Sequence, residues 1–190
     1  MDYAPRPAHC GGIDEPAVCS IMMEPMKNTD PELARLAVRV GKALLRSRRS
    51  AATAESCTGG WIAKAMTDIA GSSQWFIEGF VTYSNEAKVR HLGVPVSVLN
   101  AHGAVSRAVV RAMALGALRR SGAQMAVAVT GIAGPDGALP GKPVGTVWLA
   151  WAVKRGRKVQ VTADLKRFTG DRETVRRKTV RAAMAGLLKG

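Results

Sequence analysis

The segment ESCTGG places three side chains that can act as nucleophiles directly before a pair of glycines, Gly59 and Gly60. The three candidates are Ser56, Cys57 and Thr58, and the apolar spacing that follows predicts a helix. The first amides of a helix have no partner inside it, and glycines let a ligand approach the backbone. The segment therefore predicts a site for a phosphate, or for the oxyanion that forms when a carbonyl is attacked. A hydroxyl that merely caps the helix would explain the same residues.

A tyrosine and a lysine follow near the end of the next predicted strand, in the sequence TYSNEAK. Tyr83 falls at the strand end, and Lys88 falls in the first turn of a helix that begins at Ser84. A lysine whose pKa is lowered by burial or by neighbouring positive charge can take a proton from a serine. Tyr83 can relay that proton or donate a hydrogen bond to an oxygen. A core tyrosine and a solvated surface lysine are the alternatives that the residues alone leave open.

A third loop, TGIAGPDGALPGK, contains more glycine than a simple connection needs. Its Gly-Pro-Asp-Gly sequence predicts a tight turn, and its amides can surround a phosphate or a ribose. The candidate ligand-binding residues in this loop are Thr130, Gly131, Gly134 and Lys142. The loop lacks the close succession of glycine, lysine and serine or threonine that binds phosphates in nucleoside triphosphatases, so that class is disfavoured.

Other catalytic or metal-binding sets are poorer candidates. A serine-histidine-aspartate triad would need His91 or His102, and each lies among predicted helix or turn residues. Cys57 paired with a histidine remains an alternative nucleophile. His9 and Cys10 are two ligand types in an irregular segment, and they do not define a metal site.

The three loops connect elements that alternate between helix and strand. An N-cap acceptor at Asp30 predicts a first helix, and a helix that starts at Asp171 is the last. Continuous apolar residues over 123–131 indicate a strand buried on both faces, whereas the alternation over 158–168 indicates an edge strand. Further strands are predicted over 50–54, 75–83 and 144–153, and a helix from the glycine pair to Gly71. This order predicts α/β architecture, a single three-layer α/β/α domain with a mixed sheet and an antiparallel final hairpin.

Length and composition limit the number of domains and the class of protein. The chain has 190 residues, enough for one domain with a substantial core, and 47% of them are hydrophobic. Residues 1–28 mix prolines and glycines without periodicity, which predicts a flexible tail before a domain over 29–190. The sequence shows neither a membrane span nor a secretory signal, and its three cysteines form no disulfide framework. We therefore expect a cytoplasmic protein with no membrane partner.

The net charge of +14 is high, and residues 154–190 carry twelve basic and three acidic side chains. Such an end can attract nucleic acid, an acidic membrane surface or a phosphorylated small molecule. A nucleic-acid- or protein-binding module without catalysis is therefore a second hypothesis, based on the predicted last helix with Arg172, Arg176, Arg177, Lys178 and Arg181. Aromatic residues make up only 5% of the chain and do not interleave with basic ones, which argues against nucleic acid. A solvated helix face is the simpler explanation.

Several segments in order resemble one known family. TAESCTGGW, TYSNEAKVRHLGV, HGAVS, TGIAGPDG and KPVGTVWLAW closely resemble the CinA C-terminal domain family, in particular its stand-alone nicotinamide-nucleotide amidases. The resemblance extends over about residues 33–188 and leaves out the predicted tail. One departure is the loop tip, where Ala138, Leu139 and Pro140 replace a more polar, glycine-rich linker.

The resemblance implies hydrolysis of the carboxamide of nicotinamide mononucleotide to nicotinate mononucleotide and ammonia, a step of pyridine nucleotide salvage. It implies Ser56 as the nucleophile, assisted by Tyr83 and Lys88, with the amides from Thr58 to Gly60 holding the oxyanion. The resemblance implies a homo-oligomer, and it implies no metal or organic cofactor. An amidase for a related amide is an alternative that the sequence leaves open.

Overall fold

The computed structural model describes residues 30–190, so the predicted tail over 1–28 lies outside the described residues. The helices within this part of the chain are α1 (Pro31–Arg46), α2 (Trp61–Thr67), α3 (Asn85–Leu92), α4 (Val96–His102), α5 (Arg107–Ser121) and α6 (Arg172–Leu187). The strands are β1 (Ala51–Glu55), β2 (Phe76–Val81), β3 (Met125–Gly131), β4 (Thr146–Arg155) and β5 (Lys158–Arg167). A short 3₁₀ turn, Ser72–Gln74, precedes β2.

The five strands form one mixed sheet in the order β2-β1-β3-β4-β5. β1 is parallel to both β2 and β3, whereas β4 is antiparallel to β3 and to β5. The predicted mixed sheet and its antiparallel final hairpin are therefore confirmed. β3 is buried along almost its whole length, and β5 is an edge strand with mostly exposed residues, as their apolar patterns predict.

Helices cover both faces of the sheet, which confirms the three-layer α/β/α domain. On one face α1, α2 and α6 pack in a hydrophobic cluster that includes Val127 and Leu149 of the sheet. On the other face α3, α4 and α5 pack against the small side chains of Ala126, Ala128 and Ala150. Within residues 30–190 no helix has the length and apolar character that a bilayer crossing needs.

Short polar side chains fix where the helices begin. The Asp30 carboxylate accepts hydrogen bonds from the Glu32 and Leu33 amides, and Asp171 accepts one from the Thr174 amide. Ser84 caps α3 and Ser106 caps α5 in the same way. Each side chain satisfies an amide that has no partner inside its helix, and the starts at Asp30, Ser84 and Asp171 agree with the sequence prediction.

The largest difference from the sequence prediction concerns the helix after the glycine pair. α2 has only seven residues and ends at Thr67, and Gly71 precedes the 3₁₀ turn instead of closing that helix. Gly60 is the residue immediately before α2, with a left-handed φ of 94°. The glycines therefore lie outside the helix and allow a turn that a side chain would strain. β2 also ends earlier than predicted, at Val81, so Tyr83 lies beyond the strand.

Candidate active site

Three loops meet at one edge of the sheet, because β1, β2 and β3 are parallel and end level with one another. Glu55, the last residue of β1, pairs with Val81 on one side and with Val129 on the other. The next residue, Ser56, donates its amide to the Val129 carbonyl at 3.2 Å. The carboxyl ends of parallel strands are the usual place for ligands in such sheets. The nucleophile candidates, the tyrosine-lysine segment and the glycine-rich loop therefore start from the same edge.

Lys88 reaches Ser56 across this edge. Its Nζ lies 3.2 Å from Ser56 Oγ, although 32 residues separate the two in the sequence. The same nitrogen donates to the carbonyl oxygens of Thr82, Tyr83 and Ser84, at 2.9, 3.1 and 3.3 Å. Lys88 is 1% exposed and Ser56 is 9% exposed. The predicted lysine is thus a buried group in contact with the predicted serine, and it is not a solvated surface side chain.

Burial shifts the pKa values of Lys88 and Cys57, which both adjoin Ser56, in opposite directions. It lowers the pKa of Lys88 below its usual value, an effect that the Glu86 carboxylate partly opposes. Burial raises the pKa of the Cys57 thiol to about 12, and the charge of Glu55 acts in the same direction. A lysine with a lowered pKa is a better base near neutral pH, whereas a thiol with a raised pKa is a poorer nucleophile.

The glycine pair forms a left-handed turn whose amides are already occupied. Gly59 has a φ of 62° and donates its amide to the Ser56 carbonyl at 3.1 Å. Gly60 donates its amide to Glu55 Oε2 at 3.0 Å. The expectation that these two amides are open to a ligand is therefore wrong for the structure described, because a carboxylate and a carbonyl of the chain itself accept them.

Glu55 occupies the position at the start of α2 that the sequence suggested for a ligand. Its fully buried carboxylate also accepts the Ile62 amide at 3.0 Å and the Ala63 amide at 2.8 Å. The Thr58 hydroxyl donates to it at 2.6 Å, and the Thr53 hydroxyl lies 3.4 Å away. An internal carboxylate thus satisfies the unpaired amides of the helix, which are the groups that favour a negative charge.

Two amides of the same turn remain without an acceptor. Within residues 30–190, neither the Cys57 amide nor the Thr58 amide donates a backbone hydrogen bond. Thr58 is fully buried, whereas Cys57 keeps 6% of its surface exposed. Because it directly follows Ser56 and donates no backbone hydrogen bond in this part of the chain, the Cys57 amide is the candidate oxyanion donor of this turn.

Tyr83 lies on the outer side of the site and contacts α6 through its hydroxyl group. It is 62% exposed, and Arg172 Nη2 donates to its hydroxyl at 3.1 Å. Arg172 Nη1 also donates to the Gly134 carbonyl at 2.7 Å. Arg172 therefore links the tyrosine segment to the glycine-rich loop and leaves a charged group at the opening of the site.

The other predicted residues of the glycine-rich loop have structural contacts at this edge. Thr130 is buried and donates its hydroxyl to the Ala104 carbonyl at 3.0 Å. Gly131 lies so close to the next strand that an added Cβ would be 2.7 Å from the Thr146 carbonyl oxygen. A Cβ on Gly134 would lie 2.6 Å from Val144. Lys142 is half-buried in the loop, and its Nζ lies near Gly103 at the end of α4.

The basic side chains of α6 bind other parts of the chain. Arg177 pairs with Asp30 and Glu32 at the start of α1, and Arg181 pairs with Glu32. Arg176 donates to the Thr58 carbonyl at 2.8 Å and lies over the ring of Trp61. These contacts engage the cluster on which the nucleic-acid hypothesis depends, so no observation of the structure favours that hypothesis.

A cavity of about 650 Å³ adjoins the glycine turn on the side that faces α6. Gly59 and Gly60 form one wall, Trp61 another, and Arg172 and Arg176 a third. Arg172 belongs both to this cavity and to the hydrogen bond with Tyr83. The cavity is large enough for a small organic ligand, but its lining sets Lys64, Arg172 and Arg176 against the carboxylates of Asp30, Asp68 and Glu173. Ser56 and Lys88 do not line it, so the cavity adjoins the serine-lysine contact without containing it.

The sequence prediction missed the roles of two residues in the site. It did not single out Glu55, and it did not predict that Arg172 contacts Tyr83. Glu55 had a usable signal, because a carboxylate a few residues before a helix can accept its first amides. Arg172 had none, since it lies 89 residues from Tyr83 and stood out only as part of a basic cluster.

Comparisons with known proteins agree with the fold. The family model of the CinA C-terminal domain matches residues 33–190. The chain is 55% identical over 160 residues to a nicotinamide-nucleotide amidohydrolase PncC from Pseudomonas putida, covering 84% of this chain and 97% of that protein. It is 53% identical over 159 residues to the protein of the same name from Escherichia coli K12, covering 84% and 94%.

Two solved structures show the same fold. A competence/damage inducible protein CihA from Agrobacterium tumefaciens superposes with a TM-score of 0.81 at 45% identity, covering 87% of this chain and 100% of that one. A CinA superfamily protein from Klebsiella pneumoniae gives a TM-score of 0.78 at 43% identity, covering 83% and 96%. Because the family model and these relatives all span the described domain, the chain belongs to the CinA C-terminal domain family.

Proposed function

We propose that this protein is an amidase that hydrolyses the carboxamide of nicotinamide mononucleotide to nicotinate mononucleotide and ammonia, with Ser56 as nucleophile. The observation that carries the proposal is the contact of 3.2 Å between Lys88 Nζ and Ser56 Oγ. Relatives named nicotinamide-nucleotide amidohydrolase, which match most of this chain, support the choice of substrate.

Lys88 is the base in this proposal. A neutral amine has two hydrogens and a lone pair, so it can donate to two of the three nearby carbonyls and accept the proton of Ser56. Because burial lowers the pKa of Lys88, the neutral form is reached at a lower pH than for a lysine in water. Direct transfer from serine to lysine does not need Tyr83 as a relay.

The reaction has two halves. Ser56 Oγ attacks the amide carbon as Lys88 takes its proton, and the Cys57 amide donates to the oxyanion in place of the occupied amides of Gly59 and Gly60. The C–N bond then breaks, and the lysine proton goes to the departing ammonia. A water molecule that loses a proton to Lys88 attacks the resulting ester, which releases the nicotinate product and restores the serine.

The nucleotide part of the substrate lies toward Arg172 and Tyr83 in this proposal. Arg172 is a fixed cation at the opening of the site, held by the Gly134 carbonyl and the Tyr83 hydroxyl, and it suits a 5′-phosphate. The proposal also assigns contacts with the nucleotide to Thr130, Gly131 and Gly134 around the end of β3 and to Lys142, a second cation in the same loop. Tyr83 therefore has a binding role in addition to any assistance to catalysis.

Cys57 is an unfavourable alternative nucleophile, because burial raises the pKa of its thiol to about 12 and few molecules would carry the thiolate.

The proposal assigns this reaction to pyridine nucleotide salvage in the cytoplasm, carried out by a homo-oligomer. Light scattering on the purified protein measures its oligomeric state directly.

The test is release of ammonia and nicotinate mononucleotide from nicotinamide mononucleotide by the purified protein. We expect Ser56→Ala to abolish the reaction and Cys57→Ala to keep it. The nucleophile assignment is wrong if Cys57→Ala is inactive while Ser56→Ala is active. Binding of the nucleotide without ammonia release over a wide pH range would refute the function itself. A panel of related amides then separates this substrate from another amide of the same class.

A further inference from the structure

The Glu55 carboxylate is a buried charge whose partners are all neutral donors. It is fully buried, and within the described chain no lysine or arginine forms an ion pair with it. Its partners are the amides of Gly60, Ile62 and Ala63 and the hydroxyls of Thr53 and Thr58. A buried carboxylate needs several such donors, and this one receives them from two different elements and the turn between them.

The positions of these donors connect the end of β1 to the start of α2. Glu55 belongs to β1, whereas Ile62 and Ala63 belong to the first turn of α2. The Thr58 hydroxyl, at 2.6 Å, holds the middle of the intervening turn to the same carboxylate. Ser56 and Cys57 therefore lie between two points that Glu55 fixes. Hydrogen bonds to an ionised acceptor are shorter and stronger than neutral ones, so this connection is rigid.

We propose that Glu55 and Thr58 form a positioning pair, which holds Ser56 Oγ toward Lys88 and the Cys57 amide toward the reacting carbonyl. The inference rests on the proposed amidase function. Neither side chain of the pair touches the substrate, since both are fully buried. Their effect is on geometry, and a misplacement of about 1 Å in such a site costs roughly a hundredfold in rate.

Thr53 provides a matched control for Thr58. Both threonines are fully buried, and both hydroxyls point to the Glu55 carboxylate. Thr53, however, lies inside β1, where it pairs with Gly79 of β2 and Val127 of β3. The sheet holds its backbone whether or not the hydroxyl is present. Removing the Thr53 hydroxyl therefore changes the same carboxylate without releasing the turn.

The experiment compares Thr58→Val, Thr58→Ser and Thr53→Val in steady-state release of ammonia from nicotinamide mononucleotide. We expect Thr58→Val to lower kcat by roughly tenfold to a hundredfold with KM changed by less than about twofold, because only the reacting geometry is altered. Thr58→Ser keeps the hydroxyl and should restore most of kcat. Thr53→Val should keep the wild-type kcat, even if its thermal midpoint falls as far as that of Thr58→Val.

Three results would overturn the positioning role. They are a wild-type kcat in Thr58→Val, an equal loss of kcat in Thr53→Val, and a change in Thr58→Val that is confined to KM. Labelling with a fluorophosphonate reagent supplies a second measurement, the rate at which Ser56 is modified. Mass spectrometry of the intact protein measures this rate, and Ser56→Ala is the blank. If the wild type is labelled but releases no ammonia, the proposed substrate is wrong, and the labelling rates of the same three variants still test the positioning pair.

A double-mutant cycle tests whether Thr58 acts on the turn through Glu55. Glu55→Gln places a donating amide group against the donors of the turn, so we expect a loss of kcat at least as large as that of Thr58→Val. Adding Thr58→Val to Glu55→Gln should then cost little more, because the hydroxyl has already lost its charged acceptor. Full additivity of the two losses would show that Thr58 acts independently of Glu55. If Glu55→Gln does not fold, the threonine series decides the question without it.

Discussion

Two glycine-rich segments end at the same edge of the sheet, and they use their glycines differently. In the turn after β1, Gly59 and Gly60 adopt left-handed conformations, and their amides bind the Ser56 carbonyl and the Glu55 carboxylate. At the end of β3 and in the loop after it, Gly131 and Gly134 allow close contact with the neighbouring segment at Thr146 and Val144. Both segments are rich in glycine, and the sequence predicted an anion-binding site for both. Glycine content alone therefore does not distinguish a ligand site from a tight backbone.

The difference lies in what each segment holds rigid. In the first turn Ser56, Cys57 and Thr58 are buried, and Lys88 reaches Ser56 from α3. The tip of the second loop, residues 136–142, is mostly exposed and closes through a bridge between Leu139 and Lys142. We infer that the first segment determines the chemical step and that the second contributes to binding.

Replacing Lys88, which contacts the first segment, and Lys142, which lies in the second, should separate these two roles most strongly. Lys88→Met removes the proposed base, and we expect kcat to fall by about 10²–10⁴-fold. Lys142→Met removes a cation from the loop, and we expect KM for nicotinamide mononucleotide to rise several-fold with kcat close to wild type. Steady-state kinetics on both variants, with circular dichroism as the control for folding, checks the comparison. A larger loss of kcat in Lys142→Met than in Lys88→Met would reverse the assignment.

Alanine at one glycine of each region tests whether rigidity or mere folding matters. Gly60 and Gly137 have nearly the same left-handed φ, 94° and 91°. Each alanine variant should lose about 1–2 kcal/mol of unfolding free energy, because a Cβ is strained in this conformation. We expect only Gly60→Ala to lower kcat as well, since its Cβ would lie 3.3 Å from Val81 and displace the turn that carries Ser56. Denaturant unfolding and ammonia release measure the two effects, and equal kinetics in both variants would contradict the distinction.

The smallest expected effect concerns the pH dependence of the first region. Activity requires neutral Lys88, so kcat/KM should rise with pH until the pKa of Lys88 is passed. The Glu86 carboxylate favours the ammonium form and so raises the pKa of Lys88. Glu86→Gln should therefore move the acidic limb of the profile to lower pH, by about 0.3 unit for an exposed and screened charge. A shift to higher pH, or a shift of the same size in Asp136→Asn at the other loop, would contradict this origin.

Much of the site could be predicted from local sequence because strand ends and helix starts have local causes. The run over 123–131 predicted a buried strand, and Ser84 and Asp171 predicted helix starts that the structure shows. Parallel pairing of β1 with β2 and β3 then brings Ser56, Tyr83 and Thr130 to one edge. The length of α2 was overestimated, since its apolar spacing continues beyond Thr67 while the backbone turns into a 3₁₀ segment.

The sequence by itself determined the α/β alternation, the three loops that carry the chemistry and the family to which they belong. Only the tertiary structure decided which amides are free, because hydrogen-bond acceptors such as Glu55 are assigned by distance and not by order along the chain. It also decided that Lys88 is a buried neighbour of Ser56 and that Arg172 binds Tyr83 across 89 residues. Burial and contact between distant segments set the pKa of a side chain and the position of a charge, and neither is encoded in any single stretch of sequence.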